Sequence, residues 1–514
     1  MGKRQRMALG ALALLLAAGL AGCGTPPEPA PSPTATESPS PTPQARPMEF
    51  ALPCYPQASF HPITGTGRTN LALAGLMYDG LYELDQSFEP RPALAVSHTV
   101  SENGLVWTFT LRQGVTFSDG SPLTPADVVY SLDLARSSPL YAARLAQVAG
   151  VRAGEGTVEV TLSAPNGALP ALLDVPIIRQ GNDQRPAGTG LYVLEGDDTG
   201  LSLRRRSGGW RQGTPEPETI PLRPVEQAED LVYLFDTREI SLADTDFTGT
   251  NSLGFSGSFE TVDYPTADML FVGFNTAGGV CRDAAVRRAL SLGMDRTTIC
   301  TGLLSRHAAE AVLPVHPGSA AYDKTLAETA AYSPQAMAQG LEQAGWSKSG
   351  GKYSRWGRQM ELTLLVNQDS ACKLDVADEL ARELTAAGVG VTVKKLAWSD
   401  YVDALERGDF DLYLGEVLLT GDFDPSPLLA GGALNYGKYT GGELTGALSA
   451  WRAAQGAART AAGRVFYTRL LEEAPFTVLC FKNRSALTQW GQVSGMTPTQ
   501  QNLFYRFADW EVTK

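Results

Sequence analysis

The segment between residues 362 and 414 constrains the fold most, because its apolar residues alternate between two kinds of spacing. A short apolar run is typical of a buried strand, and an apolar residue at every fourth position is typical of a helix. The predicted elements are a strand at 362–366, a helix over 376–384, a strand at 389–393, a helix at about 399–407 and a strand at 410–414. This β-α-β-α-β order predicts a mostly parallel sheet covered by helices, and therefore an α/β fold.

A second segment, residues 106–136, reads as a strand followed by a helix. Apolar and polar residues alternate over 106–111, as in a half-buried strand. Thr124 is placed to cap the following helix, and Pro125 suits its first position. Asp295 and Ser333 are similarly placed at the starts of further helices. The region 195–260 is polar and irregular, and little can be assigned there.

Charge and size narrow the class of protein. The chain has 514 residues, 43% of them apolar, and a net charge of −13. Such an acidic chain disfavours nucleic acid as a partner, since nucleic acid attracts basic surfaces. The roughly 465 residues that follow the N-terminal region are too many for one core and predict two or three domains.

Cysteine and histidine are sparse. Apart from Cys23 the chain has five cysteines, an odd number without a Cys-x-x-Cys pair, and it has four histidines. A dense disulfide framework or a zinc site is therefore not expected, although one pair of cysteines could bridge. No nucleophile elbow, phosphate loop or metalloprotease motif is present. We therefore expect no catalytic residues, no cofactor and no metal.

The N-terminus reads as an export signal. Three basic residues precede an apolar run over residues 7–20, which is shorter than the roughly 20 residues that a membrane-spanning helix needs. The run closes on Leu-Ala-Gly-Cys, which resembles the bacterial lipobox and predicts a signal peptide over 1–22 with lipidation of Cys23. An ordinary signal peptide that happens to contain a cysteine is the alternative interpretation.

Residues 23–48 are interpreted as a disordered tether. Nine of the 24 residues from 24 to 47 are proline, and the segment has no aromatic residue to bury. Proline-rich chain favours an extended form of ~3.1 Å per residue. The tether therefore predicts a protein held outside the cell, on the outer face of the plasma membrane or on the periplasmic side.

Several stretches of the chain resemble family 5 of the extracellular solute-binding proteins, the oligopeptide, dipeptide and nickel binders of ABC importers. Each motif is short, but together they occur in the family's order along residues 50–510. The matching stretches are residues 76–81, 92–95, 107–120, 124–128, 188–192, 274–276, 286–290 and 409–411. Leu191 departs from the pattern, because a proline usually stands there.

The resemblance implies a two-lobed fold of the periplasmic-binding-protein type, in which mixed sheets joined by a hinge close on the ligand. It implies the following parts: lobe I (residues 50–75, 188–265 and 485–514), an inserted domain (76–187) and lobe II (266–484). It also implies a monomer that works with the permease and ATPase subunits of an importer.

The resemblance also implies a ligand residue. In the family's peptide binders, an aspartate that follows a lobe II strand receives the α-ammonium group of the peptide, and Gly421 and Asp422 occupy the matching positions. A carboxylate in a closed cleft would form a charge-assisted hydrogen bond with that group. The alternative is that Asp422 only caps a turn, a role that suits Asp424 better because Pro425 follows it.

Three further residues are candidates for the same cleft. Trp398 matches a tryptophan that lies near the cleft in the family, although it could equally be a core aromatic. Asn435 and Tyr436 are placed to line the cleft as well. A tryptophan and an arginine that some members carry near the aspartate are absent here, which leaves the ligand's identity open.

The sequence therefore favours capture of a peptide for import. A nickel chelate or an oligosaccharide bound by the same fold is the first alternative. The small number of histidines argues against nickel, whereas the eight tryptophans are compatible with stacking on a sugar. An exported hydrolase or a structural surface lipoprotein is the alternative from another class.

Overall fold

The computed structural model describes residues 49–181, 183–197, 200–250 and 252–513. The predicted signal peptide, Cys23 and the tether lie outside the described residues. Pro47–Lys514 forms one compact unit. Within the described residues, no helix combines the length and the apolar character that crossing a membrane requires.

The first part of the unit contains an antiparallel sheet and two helices. Its elements are β1 (Leu52–Cys54), α1 (Arg68–Met77), β2 (Tyr82–Leu84), β3 (Pro90–Pro92), β4 (Ala95–Val100), β5 (Val106–Leu111), α2 (Pro125–Arg136), β6 (Val148–Ala153) and β7 (Thr157–Leu162). Strands β4, β5, β7 and β6 form the sheet in that order, and α2 contacts β6. The predicted strand is β5 and the predicted helix is α2. The Thr124 backbone N–H and hydroxyl both donate to the Asp127 carboxylate, at 2.9 and 2.6 Å.

The next part contains most of the region 195–260, in which little could be assigned from the pattern of residues. Its elements are β8 (Tyr192–Asp197), β9 (Gly200–Arg205), β10 (Thr219–Pro224), α3 (Ala228–Asp236) and β11 (Leu242–Thr245). A four-stranded sheet has the order β1-β10-β9-β8, in which β1 and β10 are parallel. These strands are short and mostly half-buried, so their apolar alternation is too weak to read without the fold.

The remaining chain forms the largest sheet and its covering helices. The strands are β12 (Phe259–Phe274), β13 (Ala308–Glu310), β14 (Ser347–Ser349), β15 (Lys352–Arg355), β16 (Arg358–Gln359), β17 (Glu361–Asn367), β18 (Gly390–Leu396), β19 (Leu412–Leu418), β20 (Phe476–Gln489), β21 (Val493–Ser494) and β22 (Glu511–Val512). The helices are α4 (Ala284–Leu292), α5 (Arg296–Thr298), α6 (Lys324–Glu328), α7 (Pro334–Gln343), α8 (Ala371–Ala387), α9 (Trp398–Arg407), α10 (Gly442–Ala453) and α11 (Gly456–Glu473).

The predicted β-α-β-α-β segment is confirmed as β17, α8, β18, α9 and β19. Strand β17 pairs in parallel with both β18 and β19, within a sheet of order β11-β20-β12-β19-β17-β18. Helix α8 ends at Gly388, whose φ of 104° is a left-handed conformation that glycine adopts without strain. The side chains of Asp295 and Ser333 cap α5 and α7 as predicted.

Both faces of the large sheet are buried. Met269 and Phe271 of β12 belong to one hydrophobic cluster, whereas Leu270 and Val272 belong to another. Successive residues of a strand point to opposite faces, so each cluster packs helices against one face. A separate cluster joins apolar residues of predicted lobe I with those of the predicted inserted domain.

Two long strands connect the lobes. Residues 259–265 of β12 pair with 483–489 of β20, and residues 269–273 pair with 476–481. The register shifts between Pro265 and Met269. The two antiparallel strands therefore span both predicted lobes: β12 runs from predicted lobe I into predicted lobe II and β20 runs back, with an irregularity in the ladder between them.

Candidate ligand cleft

A cleft of about 440 Å³ lies between the two lobes at the point where these strands cross. Its lining comes from residues 62–84, 140–144, 174–176, 211, 244–246, 264–268, 418, 482–484 and 499–503. Leu418 is the last residue of β19, so the carboxyl end of the parallel part of the lobe II sheet faces this cleft. Ligands of open α/β sheets commonly bind at that end. The volume falls in the range of about 300–1,000 Å³ that is typical of small-ligand sites.

Lys482 occupies the centre of a charged group at the crossing, which we call the hinge cluster (Asp246, Asp268, Lys373, Glu416 and Lys482). Its Nζ lies 3.0 Å from Asp246, 2.9 Å from Glu416 and 3.5 Å from Asp268. Lys373 of α8 pairs with Glu416 at 2.7 Å. The Lys482 side chain is only 5% exposed. One buried ammonium group therefore balances carboxylates from both lobes.

The carboxylates of the hinge cluster have unequal affinities for protons. Burial and the neighbouring Glu416 raise the pKa of Asp268 well above its usual value, and Lys482 opposes this only in part. Burial alone would raise the pKa of Glu416, but Lys482 and Lys373 together lower it. Asp268 is therefore the carboxyl group that holds a proton most readily, and it lines the cleft. A ligand cation placed beside it would favour its ionised form.

The walls of the cleft carry further ion pairs. Arg484 of β20 pairs with Asp244 of β11 at 2.5 Å, and the Tyr264 hydroxyl donates to Asp244 at 2.7 Å. Arg211 pairs with Asp79 at 2.7 Å and with Glu83 at 2.6 Å.

A further pair, between Arg144 and Asp174, lies on the wall formed by the predicted inserted domain. Charges of both signs therefore surround the cleft, and a ligand that itself carries both signs can compete for them.

The structure places Asp422 at a contact between predicted lobe II and the predicted inserted domain. Asp422 is 7% exposed, and its carboxylate accepts from the Asn166 amide at 2.9 Å and from the Thr420 hydroxyl at 2.5 Å. Among the described residues, the lining of the cleft includes Leu418 but not Asp422. Asp422 nevertheless interacts electrostatically with Arg144, which does line the cleft. Its role as a ligand residue stays a prediction.

Gly421 lies at a close approach between the loop that carries Asp422 and the segments around Leu84 and Ala171. A Cβ atom at this position would lie 2.6 Å from Leu84 Cδ1 and 2.7 Å from the Ala171 carbonyl oxygen. Any larger residue would therefore push the loop before Asp422 away from the inserted domain. Packing against Leu84 and Ala171 therefore explains the need for a glycine at this position without any ligand.

The other three candidates lie outside the lining of the cleft in the described structure. Trp398 begins α9 and is 61% exposed, so it is not a core aromatic. Asn435 uses both ends of its amide within its own loop, donating to the Tyr439 carbonyl and accepting from the Tyr439 N–H, each at 2.9 Å. The Tyr436 ring packs edge-on against Tyr413. Ligand roles for these residues stay predictions.

Sequence reasoning missed the hinge cluster. Its members are far apart in the chain, and the pairing of β20 with β11 and β12, together with the pairing of β12 with β19, brings them together. One signal was available: Lys482 and Arg484 directly follow the apolar run of residues 478–481 in strand β20, where unpaired charges would be costly.

The described residues show the state of the cysteines and the distribution of side chains that can bind metals. Apart from Cys23, the five cysteines are free thiols, and four of them are buried. No group of histidine, cysteine or acidic side chains in the described part of the chain has an arrangement that could hold a metal ion.

Comparison with known proteins identifies the family. Residues 89–439 match the model of the bacterial extracellular solute-binding proteins, family 5, and this match covers more than half of the chain. The chain belongs to family 5 of the bacterial extracellular solute-binding proteins. It is therefore a solute-binding protein of the kind that serves ABC importers, and not an enzyme.

Individual relatives agree with this assignment. Protein XP55 of Streptomyces lividans is 28% identical over 454 residues, which cover 81% of this chain and 80% of the relative. The glutathione-binding protein GsiB of Salmonella typhi is 27% identical over 303 residues, which cover 55% of this chain and 59% of the relative. This family 5 solute-binding protein thus matches less than two thirds of the length of the glutathione-binding protein.

A solved structure shows the same fold. The unliganded open form of MppA, a periplasmic murein tripeptide binding protein, superposes with a TM-score of 0.76 at 19% identity, covering 91% of this chain and 98% of MppA. The α/β, two-lobed fold that the resemblance implied is therefore confirmed for this family 5 protein.

Proposed function

We propose that this protein captures a short peptide in the cleft between its lobes and delivers it to the permease of an ABC importer. The observation that carries the proposal is the lining of the cleft, in which Lys482, Arg484 and Arg211 are each paired with carboxylates. A peptide has an ammonium group and a carboxylate, so it can replace partners of both signs without leaving a buried charge unpaired. The similarity to binders of a murein tripeptide and of glutathione supports the same ligand class.

Two other ligands of the same fold are less well supported. No tryptophan lines the cleft in the described part of the chain, so an oligosaccharide would have to stack on tyrosines such as Tyr78 or Tyr141. Tyr78 is buried and Tyr141 is half-buried, so neither presents an open ring face to a sugar. Burial also raises the pKa of both hydroxyls. A nickel chelate would bring its own metal ligands, and the experiment below would detect it.

The experiment identifies the ligand and then tests closure. Small molecules released from the purified, denatured protein are identified by mass spectrometry, and the best candidate is added back to the empty protein. We expect a peptide that raises the melting temperature by mass action and decreases the radius of gyration in small-angle scattering, because closure brings the lobes together. A metal chelate or sugar in the released fraction would contradict the peptide. Saturable binding with an unchanged radius would contradict capture by closure.

We further propose that the protein is anchored to the membrane through a lipid on Cys23. The lipobox-like residues that end at Cys23 support this, and so does the proline-rich segment that follows. One acyl chain holds a protein only marginally, so the anchor would need the diacylglyceryl type of modification.

The anchor can be tested by detergent-phase partitioning of cells that express the protein. We expect the wild-type protein in the detergent phase and Cys23→Ser in the aqueous phase or unprocessed. Cys54→Ser, which changes a buried thiol of the folded unit, serves as the matched control and should partition like the wild type. A wild-type protein found in the aqueous phase would contradict lipidation.

A further inference from the structure

A small sheet projects from lobe II beside the start of β17. It consists of β14, β15 and β16, which form a three-stranded antiparallel sheet that we call the basic sheet (residues 347–359). Its two turns fall at Gly350 and Gly351 and at Trp356 and Gly357, all four with positive φ. All residues of strands β14 and β16 are exposed.

The basic sheet differs in charge from the rest of the molecule. It carries Lys348, Lys352, Arg355 and Arg358, and no acidic residue occurs between Glu342 and Glu361, in a chain of net charge −13. Lys352 pairs with Glu361 at 3.4 Å, with both side chains about half exposed. One weak, exposed pair leaves this surface strongly positive.

An exposed tryptophan forms the tip of the basic sheet. Trp356 is 89% exposed. The Arg355 guanidinium lies between two indole rings, 4.8 Å from the centre of Trp346 and 4.6 Å from the centre of Trp356. This stacking holds the Trp356 ring in place while most of its surface faces water. Neither the fold nor the ligand cleft explains why a large apolar ring is held there.

The basic sheet and the cleft lie at opposite ends of the lobe II sheet. Strand β17 starts at Glu361, next to the basic sheet, and runs parallel to β19, whose last residue, Leu418, lines the cleft. Seven residues of strand span about 20 Å. A surface bound by the basic sheet would therefore leave the cleft free to exchange ligand.

We propose that the basic sheet binds the surface of an anionic phospholipid bilayer. Basic side chains near an anionic lipid surface each strengthen binding, and tryptophan prefers the interface between headgroups and acyl chains. A specific protein partner would need a complementary area of roughly 1,000 Å² or more. The basic sheet offers one exposed indole ring among four cations, which suits a fluid and uniformly charged surface better. The proposal depends on the extracellular setting of the family and is independent of the ligand.

Vesicle co-sedimentation tests the proposal. The protein used is Pro47–Lys514, the compact unit that contains every hydrophobic cluster described above, so that the apolar run of residues 7–20 cannot itself bind lipid. Vesicles are made of phosphatidylcholine alone or with added phosphatidylglycerol. We expect binding only to the phosphatidylglycerol vesicles, and weaker binding at high salt because salt screens exposed charges.

Matched variants separate the basic sheet from general surface effects. Arg358→Gln should lower the vesicle partition coefficient about fivefold, the usual effect of one basic residue, and Trp356→Ser should lower it several-fold. Trp490→Ser and Lys324→Gln, which change an exposed tryptophan and an exposed lysine elsewhere, should have no effect. Circular dichroism and thermal unfolding check that each variant is folded.

Three results would overturn the proposal. The first is equal binding to neutral and anionic vesicles. The second is an equal loss of binding in the control variants. The third is an absence of vesicle binding together with a Trp356-dependent association with the detergent-solubilised permease, which would make the basic sheet a protein interface.

Discussion

Replacing Lys482 by methionine should destabilise the protein by about 3–5 kcal/mol, the usual effect of removing one partner from a buried ion pair. Methionine keeps most of the length of the side chain but removes the ammonium group that lies within 3.5 Å of Asp246, Asp268 and Glu416. Those carboxylates would then face one another without the cation at their centre. The loss should appear as a lower midpoint in urea unfolding at neutral pH.

A matched control and a second substitution make this result specific. Lys395→Met removes a lysine whose ion pair with Asp378 is about half exposed, and it should cost no more than about 1 kcal/mol. Adding Asp268→Asn to Lys482→Met removes one of the unbalanced carboxylates, so the double variant should recover part of the lost stability. If Lys482→Met were no less stable than Lys395→Met, the hinge cluster would not stabilise the crossing of the strands.

Replacing Asp422 by asparagine should weaken binding of a peptide ligand by about 2–5 kcal/mol, roughly 30- to 5,000-fold. The hydrogen bonds that the Asp422 carboxylate makes to Asn166 and Thr420 come from neutral donors, and the cations Arg144 and Arg459 interact with it only through space. A buried carboxylate without a bonded cation can accept an α-ammonium group. Asparagine preserves the shape of the side chain and removes its charge.

N-acetylation of the peptide removes the same interaction from the ligand side. Calorimetry is done on the four combinations of wild type or Asp422→Asn with free or acetylated peptide. The loss of binding free energy from both changes together should be smaller than the sum of the two separate losses, because each change removes the same interaction. Asp424→Asn is the matched control, because Asp424 lies in the same loop as Asp422 but is already bound by Arg452 of α10 and by Ser426. Additive losses, or normal binding by Asp422→Asn, would remove Asp422 from the ligand site.

The sequence predicted the parts of the fold that are organised locally. The β17-to-β19 segment could be read because buried strands and amphipathic helices impose their own spacing on neighbouring residues. Strands β8 to β10 could not be read because they are short and mostly half-buried. Strands β10 and β11 also pair with β1 and β20, which are distant in the chain.

The cleft was predictable only in outline. The resemblance to the family placed ligand residues after the lobe II strands, and Leu418 at the end of β19 does line the cleft. The hinge cluster depends on the pairing of two strands, β12 and β20, that are more than 200 residues apart, and no local pattern encodes such a contact. The close approach of Gly421 to Ala171 is hidden for the same reason, because a glycine in a loop has many possible causes.

The last long strand, β20, belongs to both lobes, and this has a consequence for folding. Its first half completes the lobe II sheet, and its second half pairs with β11 and with the start of β12. A chain that emerges from its N-terminus cannot finish either lobe until residue 489 is free, and long-range pairing of this kind is slow. Neither lobe can therefore complete its native fold early. The chain stays unfolded enough to be translocated until nearly all of it has crossed a membrane.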